Sequence, residues 1–447
     1  MIKNIDKSKN LIFFSLFAFF LWFSIDTSLF DYSKNNHEKY LKWLYLNVRV
    51  FAPYVFFFIF LIFFVQFKNL LNTIQNFKII LLISFIYIIQ CLSFYNTDNN
   101  LLNMGYALSC MIYIFYLTSL KTEFKIIEKQ FYLSFLIIFL ILLIYGGNIL
   151  KWFYLETTNL NLYGSWPHSL KTLEDLSNQV PKSSGLARSS MILLIFCSIW
   201  LLSLKKKINI FINSILIIFC TLIIFLTQSR IVLIFYISYY IFYIIFFVIK
   251  NNISFQKKIF VMITTLFLPF LIWHFSVEYK NNYVFKKLGP NKVIEQQNMY
   301  GKLYDKPFRT IDPKTFTSNR LNDWNKIIKS NQKVFFGNGA MGDRYLINQT
   351  ASNYFLYLYA SAGIIGLIMG IIFYIFCIFV VIKYLLKNKF TASKNETNNL
   401  ICSAVISFIL LRCITETSIG IFGIDFLIFF MCLFYLIFKN NLILKIR

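Results

Sequence analysis

Charged side chains are scarce in this chain: they make up 14% of its residues, against 58% hydrophobic ones. A soluble domain carries about 25% charged residues. The shortage argues against an ordinary soluble enzyme and excludes a disordered chain, which is rich in charge and poor in apolar surface. Glycine is low too, at 15 of 447 residues, which excludes a collagen-like fibre. The eight cysteines form no C-x-x-C pair and lie in or at the ends of apolar runs. They read as small buried hydrophobes without a metal or disulfide role, and a secreted disulfide scaffold is excluded. Only His37, His168 and His274 offer an imidazole, so few groups are available as a base near neutral pH.

What the chain has is apolar length. Hydrophobic runs of roughly 18 to 25 residues recur, the length that crosses a hydrocarbon core of about 30 Å. Spans are expected near 11–30, 51–67, 78–95, 100–118, 131–150, 189–204, 208–226, 230–249, 257–275, 362–382, 398–414 and 419–438. Lipid-exposed backbone must bond within its own segment, so these are helices. An outer-membrane barrel would show short alternating segments instead. The fold class is all-α, a polytopic transmembrane helical bundle of about twelve spans. Residues 1–275 hold the first nine, with an outer loop at 151–188; residues 276–353 form a second, longer outer loop; residues 354–447 hold the last three. The run from Leu11 is too long for a cleavable signal and lacks a small-residue cleavage site, so it reads as a span. Phe, Ile, Asn and Lys abound as in an AT-rich genome, and individual phenylalanines carry no functional weight.

The net charge is +25, from 44 Lys and Arg against 19 Asp and Glu. Much of it follows membrane topology, because cytoplasmic loops are rich in Lys and Arg. Lys3, Lys7 and Lys9, Lys121 to Lys129, Lys205 to Lys207, Lys250 to Lys258, Lys383 to Lys394 and the tail from Lys439 would share one side. This pattern puts both termini inside a bacterial inner membrane. The 31–50 loop, with Lys34, Lys39, Lys42 and Arg49, fits less well. Basic residues scattered among short loops do not make a nucleic-acid surface. The 276–353 loop has ten Lys and three Arg against two Glu and four Asp, a net charge of +7. Long loops escape the positive-inside rule, so an anionic substrate at the outer face is one reading and attraction to anionic lipid headgroups the other. Within this loop the pattern predicts a helix from an N-cap at Ser318 to about Gln332, with Leu321, Trp324 and Ile328 on one face, ended by Gly337-Asn338-Gly339.

Ionisable groups at membrane depth are costly and mark functional sites. Here they are Asp26, Arg188, Arg230, Arg412, Glu416 and Asp425. With the N-terminus inside, Arg188, Arg230 and Arg412 fall near the outer face. Guanidinium groups bind phosphate oxygens bidentately and keep their charge, so this set suits a diphosphate. The simpler reading is anchoring at helix ends. It is preferred for Arg412, with Glu416 as its i,i+4 partner.

The segment Leu226-Thr227-Gln228-Ser229-Arg230 resembles the T-x-S-R signature of the O-antigen polymerase and ligase superfamily. Arg320-Leu321-Asn322-Asp323-Trp324 is similar to its R-x-x-x-W element, and Phe336-Gly337-Asn338-Gly339 to its x-G-x-G turn. Ser352-Asn353-Tyr354-Phe355-Leu356, followed by Gly363-Ile364-Ile365-Gly366, is similar to its H-N-x-x-L … G-x-x-G entry into the next span. Ser184-Gly185 with Arg188 looks like the element closing its first outer loop. The resemblance covers about residues 180–385, and each motif is short; order, spacing and topological side make the match.

The resemblance implies a glycosyl-transfer enzyme at the outer face of the inner membrane. It would move a glycan from undecaprenyl diphosphate to an acceptor hydroxyl, without nucleotide sugar, metal or other cofactor. Polymerases pass the growing chain to the next lipid-linked repeat unit; ligases pass finished polymer to lipid A core. Partner proteins that set chain length are implied by the family alone. Ligases carry a histidine where this chain has Ser352, which cannot act as a base at neutral pH, and this favours a polymerase. Arg230 and Arg188, with Arg320, would hold the diphosphate and stabilise charge on the leaving group. Asp343 is the first candidate for a base, ahead of Asp323 and Glu278; ion pairing of Asp343 with Arg344 or of Asp323 with Arg320 is the simpler reading. Trp324 would stack on sugar or pack on the membrane domain. Asn353 would orient substrate or cap the re-entering helix. Gly363 and Gly366 would allow close helix packing. A protein-glycosylating transferase shares the same motifs. A transporter of lipid-linked sugar is the rival of another class, but it calls for internal repeats and paired broken helices, and the seven prolines and the span pattern show no such pairing.

Overall fold

With little charge and long apolar runs, the backbone can satisfy itself in lipid only through helices. Every regular element among the described residues is helical. The computed structural model describes residues 78–93, 101–120, 124–151, 183–204, 206–227, 229–243, 255–276, 278–279, 282, 320–387 and 394–439. In chain order the helices are α1 (Lys78–Leu92), α2 (Leu101–Ser119), α3 (Phe124–Lys151), α4 (Ser183–Ser203), α5 (Lys207–Thr227) and α6 (Arg230–Tyr243). Next comes α7, which starts as Phe255–Met262, passes through a π-turn at Ile263–Phe267 and continues to Ser276. The rest are α8 (Arg320–Ser330), α9 (Gly342–Ile347), α10 (Tyr354–Lys387), α11 (Lys394–Cys413) and α12 (Ile424–Lys439).

Five helices among the described residues are long and apolar enough to cross a membrane, on α3, α4, α5, α7 and α10. The expected spans near 11–30 and 51–67 lie outside the described residues. Boundaries differ where polar residues sit inside helices. α4 starts at Ser183, ahead of the expected 189, so Arg188 is in its second turn rather than at the end of a loop. Ser189 stays helical because its hydroxyl donates back to the Gly185 carbonyl at 3.0 Å.

α12 is the centre of the bundle. Every residue from Ile424 to Phe438 is buried, as expected of a helix apolar all round. α2, α3 and α11 pack on it, and Phe373 of α10 stacks on its Phe430 at 5.8 Å. Tyrosines tie neighbouring elements together: Tyr113 donates to the Leu427 carbonyl, Tyr384 to Leu436, Tyr374 to Leu410 and Tyr87 to Ile419. The outer surface is apolar in stripes. On α10 it shows Ile364, Ile368, Ile371, Ile375, Phe379 and Ile382. Such a stripe faces water poorly and lipid well, so the chain is a membrane protein.

α10 is two helices joined at Gly363, where φ is 66° and ψ −163°. Only glycine adopts this backbone at low cost. The short arm, 354–362, folds back along the long arm. Across the bend Phe355 meets Tyr374 at 5.1 Å, and Ala362 faces Gly366 while Leu358 faces Gly370. The expected close packing at Gly366 is therefore between the two arms. Such a break frees backbone groups, and the turn after α8 satisfies them. Asn338 N donates to Ala360 O at 2.8 Å, Gly339 N to Ser361 O at 2.9 Å, and Ile364 N to Val334 O at 2.7 Å. Asn338 and Asn331 add side-chain bonds to Ala360 and Tyr359 carbonyls. Gln90 and Ser93, at the end of α1, bond Ser361 Oγ and Phe336 O.

Candidate functional site

One end of the bundle gathers the starts of α4, α6 and α12 and the ends of α5 and α11. α4 and α5 pack as neighbours joined by a short link, and α6 packs on α4, α5 and α11. The opposite end carries lysine: Lys207, Lys383 and Lys439 lie there, with Lys439 donating to Tyr435 Oη at 2.8 Å.

At the first end three charged side chains meet. Arg188 Nε lies 3.4 Å from Asp425 Oδ1, and Arg412 Nη2 lies 3.7 Å from Asp425 Oδ2. Arg412 and Asp425 are buried, at 5% and 4% exposure. Two guanidinium groups thus share one carboxylate, and the trio carries a net positive charge away from water. This corrects the expectation for Arg412. It does not reach to the surface and does not pair with Glu416; it turns inward over the Phe408 ring at 5.9 Å. The i,i+4 rule failed because the helix ends at Cys413 and Glu416 has already left its face. Glu416 instead accepts from Arg320 Nη2 at 3.2 Å, with both side chains about one third exposed.

The trio is recessed. Tyr374 bonds to Leu410, which sets the end of α11 on the order of 10 Å below the Gly363 bend at a rise of about 1.5 Å per residue. The segment before the short arm of α10 is bonded to the end of α11. Asn353 does two jobs there: its Oδ1 accepts from Leu356 N at 3.0 Å, capping the short arm, and its Nδ2 donates to Ile414 O at 2.8 Å. The expected cap is thus present. The second bond ties the 351–353 segment to the residue two beyond Arg412.

Ala351 is held from both sides. Its N–H donates to Asp343 Oδ2 at 2.7 Å, and its carbonyl accepts from Trp324 Nε1 at 2.9 Å. Asp343 is fully buried. Burial is the chief cause that raises its carboxyl above the ordinary aspartate range; the Ala351 N–H and the Arg344 charge pull the other way. Its carboxyl anchors the loop at Ala351. The expected pairing of Asp343 with Arg344 amounts to the pull of a nearby charge, without an ion pair among the described residues, and Asp323 is not the partner of Arg320, which is on Glu416.

Trp324 is half-buried, but the packed face of α8 differs from the expected one. Ile327 is the buried residue, with Arg320, Asp323 and Trp324 beside it, whereas Leu321 and Ile328 are exposed at 50% and 54%. Hydrophobicity alone placed the face about one residue off, because Arg320 and Trp324 turn inward to make polar bonds. Ser318 lies outside the described residues, as do His37, His168 and Asp26.

Arg230 opens α6 at this same end and is half-buried. Among the described residues, the ion pairs on Asp425 come from Arg188 and Arg412. The structure therefore brings Arg188 together with Arg412 and Asp425, and links Asn353, Trp324 and Asp343 through residues 351–353. Ser352 takes φ 49°. The residue that sequence reasoning undervalued is Arg412. Its signal was an arginine and an aspartate thirteen positions apart, flanking a short polar turn between two apolar runs. No protein-family model matches this chain, and no curated protein matches it.

Proposed function

We propose that this protein is a membrane glycan polymerase. It transfers a growing glycan from undecaprenyl diphosphate to the next lipid-linked repeat unit at the outer face of a bacterial inner membrane. In this reading about twelve helices span the membrane, with both termini inside, and the lysine-bearing end faces the cytoplasm.

The observation that carries the reading is Arg188 and Arg412 buried around one carboxylate at the end of the bundle where the loop elements α8 and α9 are fastened. Buried fixed positive charge in a recess is worth more to a developing diphosphate than the same charge in water. Arg188 and Arg230 hold the diphosphate of the donor. As the bond between the anomeric carbon and the phosphate oxygen breaks, they stabilise the negative charge on the leaving group. The acceptor hydroxyl attacks that carbon and its proton passes to the departing diphosphate, directly or through water, with the loop supplying position. Ser352 at the histidine position favours polymer growth over ligation.

Transport is the competing class, and the break at Gly363 is the feature that invites it, because transporters bind substrate at broken helices. Here, however, the Ala360, Ser361 and Ile364 backbone groups at the break are bonded to residues 334–339.

Surface polysaccharide from a deletion strain, run on a gel, tests the reading. Single repeat units on lipid A core, restored to a ladder by the wild-type gene but not by Arg188→Ala or Arg230→Ala, is the expected outcome. Bare core with polymer retained on its lipid carrier means ligation instead. An unchanged ladder removes the polymerase reading for that polymer.

A further inference from the structure

We infer that Asp425 is a resident counter-ion which the substrate's diphosphate displaces, and that Arg412 is a donor-binding residue beside Arg188. The inference rests on reading this recess as a diphosphate site and names how the site is kept charged before substrate arrives.

Two guanidinium groups buried without an anion would be prohibitively costly, and one carboxylate at membrane depth is the least that makes them tolerable. Asp425 does this loosely. Its contacts of 3.4 and 3.7 Å are ion-pair distances, longer than the 2.7–2.9 Å of a charged hydrogen bond. Nε and Nη1 of Arg412 have no hydrogen-bond partner among the described residues, although the residue is 95% buried. A fork of donors in a buried recess is matched by a tetrahedral oxyanion, which can take two parallel N–H bonds from one arginine where Asp425 takes a single long contact.

The displaced carboxylate has somewhere to stay. Asp425 lies in the first turn of α12, where the helix dipole favours negative charge. It can stay in place while the arginines turn toward the substrate. Nearby, Thr415 Oγ1 and Ser418 Oγ are buried hydroxyls without hydrogen-bond partners among the described residues, on the short turn that links Arg412 to Asp425. The turn is pinned by Thr415 N and Glu416 N on the Arg412 carbonyl at 2.9 and 2.7 Å. Both hydroxyls are thus held on the turn between the two charged residues.

The competition gives a sign that a purely structural ion pair does not. Removing the resident anion leaves both arginines to the incoming one. The full-length protein in detergent is titrated with inorganic pyrophosphate, and binding is read by calorimetry alongside thermal unfolding. Asp425→Asn is expected to bind pyrophosphate on the order of tenfold tighter, since a like charge within a few ångströms is gone. Arg412→Gln is expected to bind it on the order of tenfold weaker. Arg412→Lys keeps the charge, and so the fold, but loses the fork; it is expected to weaken binding by a smaller factor. Should the first two variants fail to fold, the lysine variant decides. Unchanged affinity in Arg412→Lys, or weaker binding in a folded Asp425→Asn, overturns the inference. If pyrophosphate binding follows these expectations but the polysaccharide ladder is indifferent to Arg188 and Arg230, the anion site stands and the polymerase reading falls. If the ladder needs those arginines while pyrophosphate binding ignores Arg412, the reverse holds.

Discussion

Gly363 faces the backbone carbonyl of Phe335 so closely that a methyl group on its α-carbon would overlap that oxygen. The obstacle is backbone, which cannot rotate aside as a side chain can. The same residue holds φ at 66° and ψ at −163°. Gly363→Ala therefore meets conformational strain and overlap together, at a cost of about 3 kcal/mol or more. Gly147 is the internal control, because a methyl there meets nothing within 4 Å. Being within α3, Gly147→Ala is expected to be neutral or to stabilise by up to about 1 kcal/mol. Thermal unfolding of both variants in one detergent decides, and equal midpoints would show that the hairpin bend is not formed as described.

Asp343 offers a dependence on pH whose sign is fixed. Its folded carboxyl is raised above the ordinary value, chiefly by burial. Its stabilising contribution is therefore complete below the unfolded aspartate pKa of about 3.9 and is lost as pH rises through the higher folded value. Asp343→Asn keeps an oxygen to accept from Ala351 and removes the charge. The variant is expected to unfold at a higher temperature than wild type at neutral pH, and the gap to close as pH falls toward about 4. Glycan synthesis should survive the change. Loss of synthesis in a stable variant would return Asp343 to the role of base.

The hydropathy pattern carries the all-helical class and the five helices long and apolar enough to span among the described residues, since run length against bilayer thickness is a robust signal. The hairpin at Gly363 was not legible. The sequence places a span near 362–382, and nothing in hydrophobicity marks residues 354–362 as an arm folded back along it; only the positive φ at one glycine does. Arg412 was misjudged for a related reason. An arginine at the end of a span looks alike whether it reaches for water or turns inward, and the choice depends on Asp425, which the fold brings back from the start of the next helix.

Ser352 takes a left-handed backbone, φ 49°, without the freedom of glycine. Such a residue costs on the order of 1 kcal/mol. The neighbours explain why it persists: Asp343 and Trp324 fix Ala351 on one side, and Ile414 fixes Asn353 on the other. Ser352→Gly is expected to raise stability by up to about 1 kcal/mol. Trp324→Phe removes one of the clamps and is expected to lower it by about 1 kcal/mol. Chemical unfolding of the two variants and their combination tests the link. Should Ser352→Gly destabilise, the hydroxyl would have a role that its backbone does not reveal.

Arg320 and Glu416 join α8 to the turn that leads from Arg412 to Asp425, with N–O separation 3.2 Å. Each side chain is about 30% exposed, so the pair is screened and worth at most about 1 kcal/mol. Arg320→Ala is expected to shift the unfolding midpoint very little. A stability role and a substrate role part company on charge reversal. Arg320→Glu combined with Glu416→Arg rebuilds the ion pair with its ends exchanged, so stability returns to the wild-type value under either role. If Arg320 only fastens α8, polymer length on the gel also returns. If its guanidinium meets the anionic donor as well, the exchanged pair moves positive charge onto the turn and negative charge onto α8, and the ladder stays short in a protein of normal stability. Recovery of both readouts in the double variant removes Arg320 from substrate binding and leaves the anion to the recessed arginines.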